Sequence, residues 1–293
     1  MILIFKTSAI FSKFAISSIK LLSHLPKNGL YILSDILYLL GYQLFGYRKK
    51  VVRQNLKNAF PHKSIEEIKI IESQFYRNLC DIIVETIKCT QIDAKTLEEF
   101  ISFEHSDEVN KLLDSKKSFI FTAGHAGNWE LANLACSYYL PLEVRAIYQP
   151  LNNHSFETFY LNWRAKFGTK LFPKKKNIAN FVFADKSMPF SVALINDQSP
   201  NPKIAFWTYF FNQETGFYRG AADLAIEHNF PLVFMHVHRI SRGKYVIKSK
   251  LIRGNSADEL LGKYVRLLEN EILKDPANWL WSHKRWKHKK PVF

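Results

Sequence analysis

The chain has 293 residues, of which 47% are hydrophobic and 15% aromatic, so it can bury a large core and is not a disordered protein. Its formal charge of +15 suits polyanions, of which nucleic acid and the anionic membrane surface are the common ones. Cys80, Cys89 and Cys136 lie in apolar helical stretches without metal-type spacing and read as buried free thiols of a reducing compartment.

The chain opens on "MILIFKTSAIFSKFAISSIKLL", where Lys6, Lys13 and Lys20 fall seven apart in an otherwise apolar stretch. On a helix they form one stripe, as in a basic interfacial helix. A secretory leader would need an unbroken apolar core and a small-residue cleavage site, and neither is present. After "PKNG" comes "LYILSDILYLLGYQLFGY", eighteen residues whose single charge is Asp35, followed by "RKK". That length is marginal for a bilayer span, and a mid-helix Asp costs about 2.5–3.5 kcal/mol on insertion scales. A helix lying in the membrane surface therefore competes with a span. Residues 1–50 read as a membrane anchor and residues 51–293 as one catalytic domain. The basic run places that domain on the cytoplasmic side of the inner membrane.

Residues 51–90 read as helical. Ser64 and Glu67 form a capping box, and Ile68, Ile71, Phe75, Leu79, Ile82 and Ile83 follow at helical spacing. A short helical piece follows in "DAKTLEEFI". From residue 116 strands and helices alternate: "SFIFTAG", then the helix "NWELANLACSYYL"; "EVRAIYQP", then "HSFETFYLNWRAKFG"; "FSVALIND"; the helix "GAADLAIEHN". The strands "FPLVFMHVHRI" and "GKYVIKSKLI" pair through "SRG", and a last helix stops at Pro276. The pattern predicts an α/β fold with a mainly parallel central sheet flanked by helices, preceded by N-terminal hydrophobic membrane-anchoring helices.

"TAGHAGNWE" sits at a strand-to-helix turn, the carboxyl edge where α/β sheets bind ligands. Gly124 and Gly127 permit a tight turn and close approach of a substrate. Glu130, in the first helical turn, could reach back to hold one ring nitrogen of His125 as a general base requires. No serine or cysteine adjoins His125, so the base would act on a substrate hydroxyl or amine. The helix start near Gly127 and Asn128 would offer N–H donors to an oxyanion. An ordinary cap beside a satisfied histidine fits the motif equally well. The pair His236 and His238 shares one strand face but has no third ligand at a plausible spacing, and reads as structural. "PKKK" at 173–176 suits either solvent or an acidic protein or lipid, and "WLWSHKRWKHKK" suits a membrane interface or stacked bases. His283 and Arg285, within it, are further candidates for the site.

These segments resemble a family. "GHAGNWE" looks like the H-x4-[DE] motif of membrane acyltransferases. "FYRNLCDIIVETIK", "AIYQPLNN", "RAKFGT", "INDQSP" and "ANWLWSHKRWK" narrow the resemblance to the late, lauroyl/myristoyl-type acyltransferases of lipid A biosynthesis, in the lysophospholipid acyltransferase-like superfamily. The resemblance implies acyl transfer from an acyl carrier protein or coenzyme A thioester to a hydroxyl of a glucosamine-based lipid at the anionic inner membrane. It implies no cofactor, metal or nucleic acid. His125 would be the general base and Glu130 its orienting carboxylate. Arg164 would bind an anionic part of a substrate, and Asp197 would join Arg164, Asn128 and Gly127 in substrate binding. Two departures stand out: Gln149 replaces a basic residue, and Glu130 stands where aspartate is commoner. Acylation of another lipid, a phosphoglycolipid or aminolipid, is the nearest rival. A non-enzymatic basic module on membrane or nucleic acid is the more distant one.

Overall fold

A computed structural model describes residues 9–291, so Lys6 and the first turns of the expected amphipathic segment lie outside the described residues. The described chain begins with α1 (Ala9–Leu22) and α2 (Lys27–Tyr38), which runs on as a π-helical turn, Leu39–Leu44. Then come α3 (Lys49–Ala59), α4 (Ile65–Cys89), α5 (Ala94–Phe100), β1 (Ile101–His105) and α6 (Asp107–Asp114). The alternating part follows as β2 (Phe119–Ala123), α7 (Trp129–Tyr139), β3 (Glu143–Tyr148), α8 (His154–Arg164), β4 (Lys170–Pro173), α9 (Ala179–Val182) and β5 (Phe190–Ile195). The chain continues with β6 (Phe206–Phe210), β7 (Gln213–Phe217), α10 (Gly220–Glu227), β8 (Leu232–Ser241), β9 (Lys244–Ile252) and α11 (Ala257–Lys274).

Seven strands form one sheet in the order β1-β9-β8-β2-β5-β3-β4, in which β8 and β9 pair antiparallel and the other neighbours pair parallel. The expected mainly parallel α/β sheet is thus present. β2, with Phe119, Ile120, Phe121 and Thr122 all buried, sits at its centre, as an apolar run covered on both faces must. The hairpin expected through "SRG" is β8–β9. The capping box at Ser64 is complete: Glu67 N–H donates to Ser64 Oγ, and Ser64 N–H donates to the Glu67 carboxylate. All three cysteines are buried and free.

The N-terminal helices pack the opposite way to their apolar count. α2 turns its polar side inward onto α4: Ser34 Oγ donates to Asp81 at 2.6 Å, Tyr31 Oη to Glu85 at 3.0 Å, and Tyr42 Oη to Glu72 at 3.0 Å. Asp35, the single charge of the expected span, pairs with Arg242 of the β8–β9 turn at 2.7 Å. Ile32, Ile36, Leu39, Leu40, Leu44 and Phe45 are left facing outward. Among the described residues no single helix is long and apolar enough to cross a membrane, and the Lys27–Leu44 stretch meets α3 at 84°. The expected boundary at residue 50 falls in the first turn of α3.

Candidate active site

β2 and β5 pair parallel with Ala123 opposite Ile195, so the residues two positions beyond each strand leave the sheet side by side. Those residues are His125 and Asp197. The imidazole Nδ1–H donates to Asp197 Oδ1 at 2.5 Å, and the His125 backbone N–H donates to Oδ2 at 2.6 Å. Trp279 Nε1–H donates to the same Oδ2 at 2.8 Å, so three donors hold one buried carboxylate. Burial alone would push that carboxyl up. Electrostatic attraction to the His125 ring and the hydrogen bonds of that ring, its backbone and Trp279 outweigh burial and hold it down at about 2. An ionised carboxylate on Nδ1 fixes the Nδ1–H tautomer and leaves the Nε2 lone pair to accept a proton. Gln198 Nε2–H donates to that Nε2 at 3.2 Å, and Trp129 meets the ring edge-on with centroids 5.3 Å apart.

The glycines are demanded by this geometry. A Cβ on Gly124 would stand 3.1 Å from Asp197 Oδ2 and 2.7 Å from Leu268, closing the space the carboxylate occupies. Gly127 has φ +56°, and a Cβ there would meet the Val237 backbone oxygen at 2.7 Å. The loop is clamped by the segment after α11: Gly127 N–H donates to Asn278 O at 2.9 Å, and Leu280 N–H donates to His125 O at 3.0 Å.

Beneath His125 lies a cavity of about 520 Å3. Its interior is apolar, with Phe121, Cys136, Met235 and Ile247 all buried, and Gln149, Gln198 and Arg164 add the polar part of the wall. A cavity of this size and lining, with a few convergent polar groups, is what a long apolar ligand with one polar end requires.

The expected contact between Glu130 and His125 is replaced by another. Glu130 accepts two hydrogen bonds from Arg164, at 2.5 Å from Nη2 and 3.0 Å from Nε, so the two residues expected in separate roles form one bidentate pair in the cavity wall. The reason is helical geometry. The first turn of α7 carries Glu130 toward the end of α8, while His125 leans toward β5. Asn128 and Gly127 are likewise committed within the fold. Asn128 caps α7 by accepting from Leu131 N–H and donates to the buried Glu85 at 2.9 Å, while the Gly127 N–H is taken by Asn278. Gln198 is the polar donor nearest Nε2 instead. It stands in the quoted "NDQSP", but only the three-dimensional turn marks it as part of the site. Trp279, the third ligand of the carboxylate, was hidden in the same way within "WLW". His283 and Arg285 fall outside the cavity wall: Ser199 N–H donates to His283 Nε2 at 3.4 Å, and Arg285 donates to Gly216 O at 2.6 Å.

The family model for bacterial lipid A biosynthesis acyltransferases matches residues 7–288, nearly the whole chain. No curated protein matches it.

Proposed function

The chain belongs to the bacterial lipid A biosynthesis acyltransferase family and is an acyltransferase, and on that premise we propose that it moves a fatty acyl group from a thioester to a hydroxyl of a lipid A-type glycolipid, with His125 as general base. The observation that carries this reading is the His125–Asp197 pair, 2.5 Å apart, at the head of an apolar cavity of about 520 Å3. The acyl chain lies in the cavity with its thioester carbonyl beside Nε2. The acceptor hydroxyl displaces the Gln198 amide from Nε2 and gives up its proton there as its oxygen attacks the carbonyl carbon. Asp197 stabilises the imidazolium that forms. The Gln198 amide, released from the ring, donates to the tetrahedral oxyanion. Collapse breaks the carbon–sulfur bond, and the leaving thiolate takes the proton back from Nε2. The Glu130–Arg164 pair shapes the wall, and Arg164 is the cation of the cavity lining on which an anionic acceptor group would draw. This reading needs no cofactor.

Surface chemistry supports a choice of donor and a location. The exposed "PKKK" lysines are joined to the cavity rim, since Lys174 N–H donates to Tyr148 O at 2.8 Å and Tyr148 lines the cavity. They suit an acidic acyl carrier protein better than a small coenzyme A thioester. α1 exposes Phe11, Phe14 and Leu21 beside Lys13 and Lys20 and lies against α8, where Asn153 Nδ2–H donates to Ser12 Oγ at 2.9 Å. That apolar and basic side supports docking on the anionic cytoplasmic leaflet, with the acceptor entering from the membrane.

The test is mass spectrometry of lipids from cells with and without the gene, complemented by His125→Ala. Lipid A lacking one acyl chain, unrestored by His125→Ala, is the expected result. An unchanged lipid A with another lipid class missing would move the acceptor to a phosphoglycolipid or aminolipid. Full complementation by His125→Ala would remove the base.

A further inference from the structure

β8 divides its side chains between two faces. Met235 and Val237 line the apolar cavity, while His236 and His238 point to the other side, where α11 packs. The third ligand that their spacing in sequence lacked is supplied by α11. His236, His238 and Glu271 each bring a ligand atom within 4.8 Å of the others. The two imidazole centroids are 4.7 Å apart, and His238 Nε2 lies 3.5 Å from Glu271 Oε2.

Two of these side chains have unmet demands. His236 is 4% exposed, and its Nδ1 has no hydrogen-bond partner among the described residues. Glu271 Oε2 is also buried without one, although Lys274 Nζ donates to the other oxygen, Oε1, at 2.7 Å. Buried nitrogen and oxygen atoms are normally paired, so an orphan on each of two residues of one cluster calls for an occupant. A water could bridge the two by hydrogen bonds. A divalent cation would engage His236 and Glu271 together with His238 as a third ligand, using the donor set the three residues present.

We propose that His236, His238 and Glu271 bind one first-row divalent ion of the Zn2+ class, a site distinct from the acyl-transfer chemistry. Two imidazoles and one carboxylate are the donor set that a borderline-soft, four-coordinate ion prefers, with water in the remaining position. Lys274 leaves Oε2 as the single carboxylate donor. His238 and Glu271 keep partial exposure, at 24% and 16% of their side chains, which provides an entry path and lets them rotate inward to coordination distance. The bound ion ties β8 to α11. α11 also carries Tyr264, which donates to Ala123 O at 2.9 Å, and Leu268, which packs under Gly124. The ion thus fastens the element that backs the His125 turn without touching the cavity.

The experiment titrates the full chain, stripped by a chelator, with Zn2+ in competition with a chromogenic chelator, and follows the melting temperature. One ion per chain and a higher melting temperature are expected, and Co2+ in place of Zn2+ gives the visible bands of a four-coordinate site. His238→Gln and Glu271→Gln each weaken binding by more than about tenfold, since even outer-sphere partners cost about that much. Both also abolish the thermal shift. Absence of saturable binding overturns the site. So does unchanged affinity in both variants, which would place the ion on exposed histidines such as His24 or His62. If either variant melts lower without metal, the Co2+ spectrum of the unaltered chain decides, and a six-coordinate spectrum sinks the proposal.

Discussion

Asp197 differs from Glu130 in what it can do for a histidine. It accepts from the ring, the backbone and Trp279 at once, whereas Glu130 is held by Arg164. His125→Ala should lower acyl transfer by about 10^2- to 10^4-fold, the usual worth of a positioned base. Asp197→Asn should fall in the same range, because the amide no longer favours the Nδ1–H tautomer. A steady-state assay over pH separates the two carboxylates. Asp197→Asn should displace the acidic limb of the rate profile, along which a base becomes active by losing its proton, whereas Glu130→Gln should keep its shape and act by loosening the wall. Unpairing Arg164 should cost about 3 kcal/mol of stability, the lower end for a broken buried pair, read by denaturant unfolding. An Asp197→Asn enzyme with an unmoved profile would deny the orienting role. His283 carries a second pH effect. Burial first, then Arg285, His125 and Lys287, push its imidazole down to about 4 from 6.5, against the pull of Asp197. The folded chain then holds it neutral where the unfolded chain protonates it. The unfolded state binds more protons between about pH 6.5 and 4, so stability should fall as pH drops through that window. His283→Gln should flatten the melting-temperature curve there.

α2 shows what an apolar count leaves open. Its leucines mark it as membrane-seeking, but periodicity does not say whether the apolar side or the Ser34–Tyr38–Tyr42 side meets α4. The deciding partners, Glu72, Asp81 and Glu85, lie roughly one helix away in sequence and become visible only in the packed pair. Asp81 is the hub of that packing: it accepts from Ser34 and from Arg239 and Arg242 of the β8–β9 hairpin, the two arginines at 2.6 and 2.7 Å. Asp81→Ala strands the largely buried Arg239 and should destabilise the chain by about 3–5 kcal/mol, measured by urea unfolding. A loss below about 1 kcal/mol would mean that the hairpin and α2 are held by apolar contact alone. The same contrast separates the elements legible in sequence from those that were not. β2, β5, β8 and α4 carry strong local signals: buried β-branched or aromatic runs, and a capping box. β1 and β4 are short edge strands with half-exposed side chains, and their pairing depends on neighbours distant in sequence. The β6–β7 hairpin turns on Phe211 and Asn212, both at positive φ, and Phe–Asn is not the Asn–Gly signal that marks such turns. For the site, His125 was legible from its glycines. Its partner was not, because the register of β2 with β5, and not nearness in sequence, brings Asp197 to it.

The whole molecule sets a basic, apolar exterior beside an apolar interior, and each makes its own demand. The net charge of +15 and the outward Phe14, Leu44 and Phe45, 71%, 69% and 76% exposed, should hold the protein on anionic vesicles. Phe14→Ser with Leu44→Ser should reduce vesicle co-sedimentation severalfold while moving stability by no more than about 0.5 kcal/mol per site. Unchanged sedimentation would assign these side chains another role. The interior speaks to chain length. If the acyl tail fills the cavity below His125, its buried end is bounded by Cys136, Met235 and Ile247. Each methylene that gains or loses burial changes binding by about 0.8 kcal/mol, or about fourfold in preference. Ile247→Ala deepens the chamber and should shift the transferred chains longer; Cys136→Phe fills it and should shift them shorter. The mass spectrum of the acylated lipid reads both in steps of two carbons, the spacing of natural fatty acids. Overpacking by the Phe should cost about 1–3 kcal/mol, so the melting temperature is measured alongside to separate a shorter ruler from a loosened core. Opposite shifts from the two variants would identify this chamber as the acyl site. An unaltered length distribution in both, with folding intact, would move the tail elsewhere and leave the cavity to the acceptor.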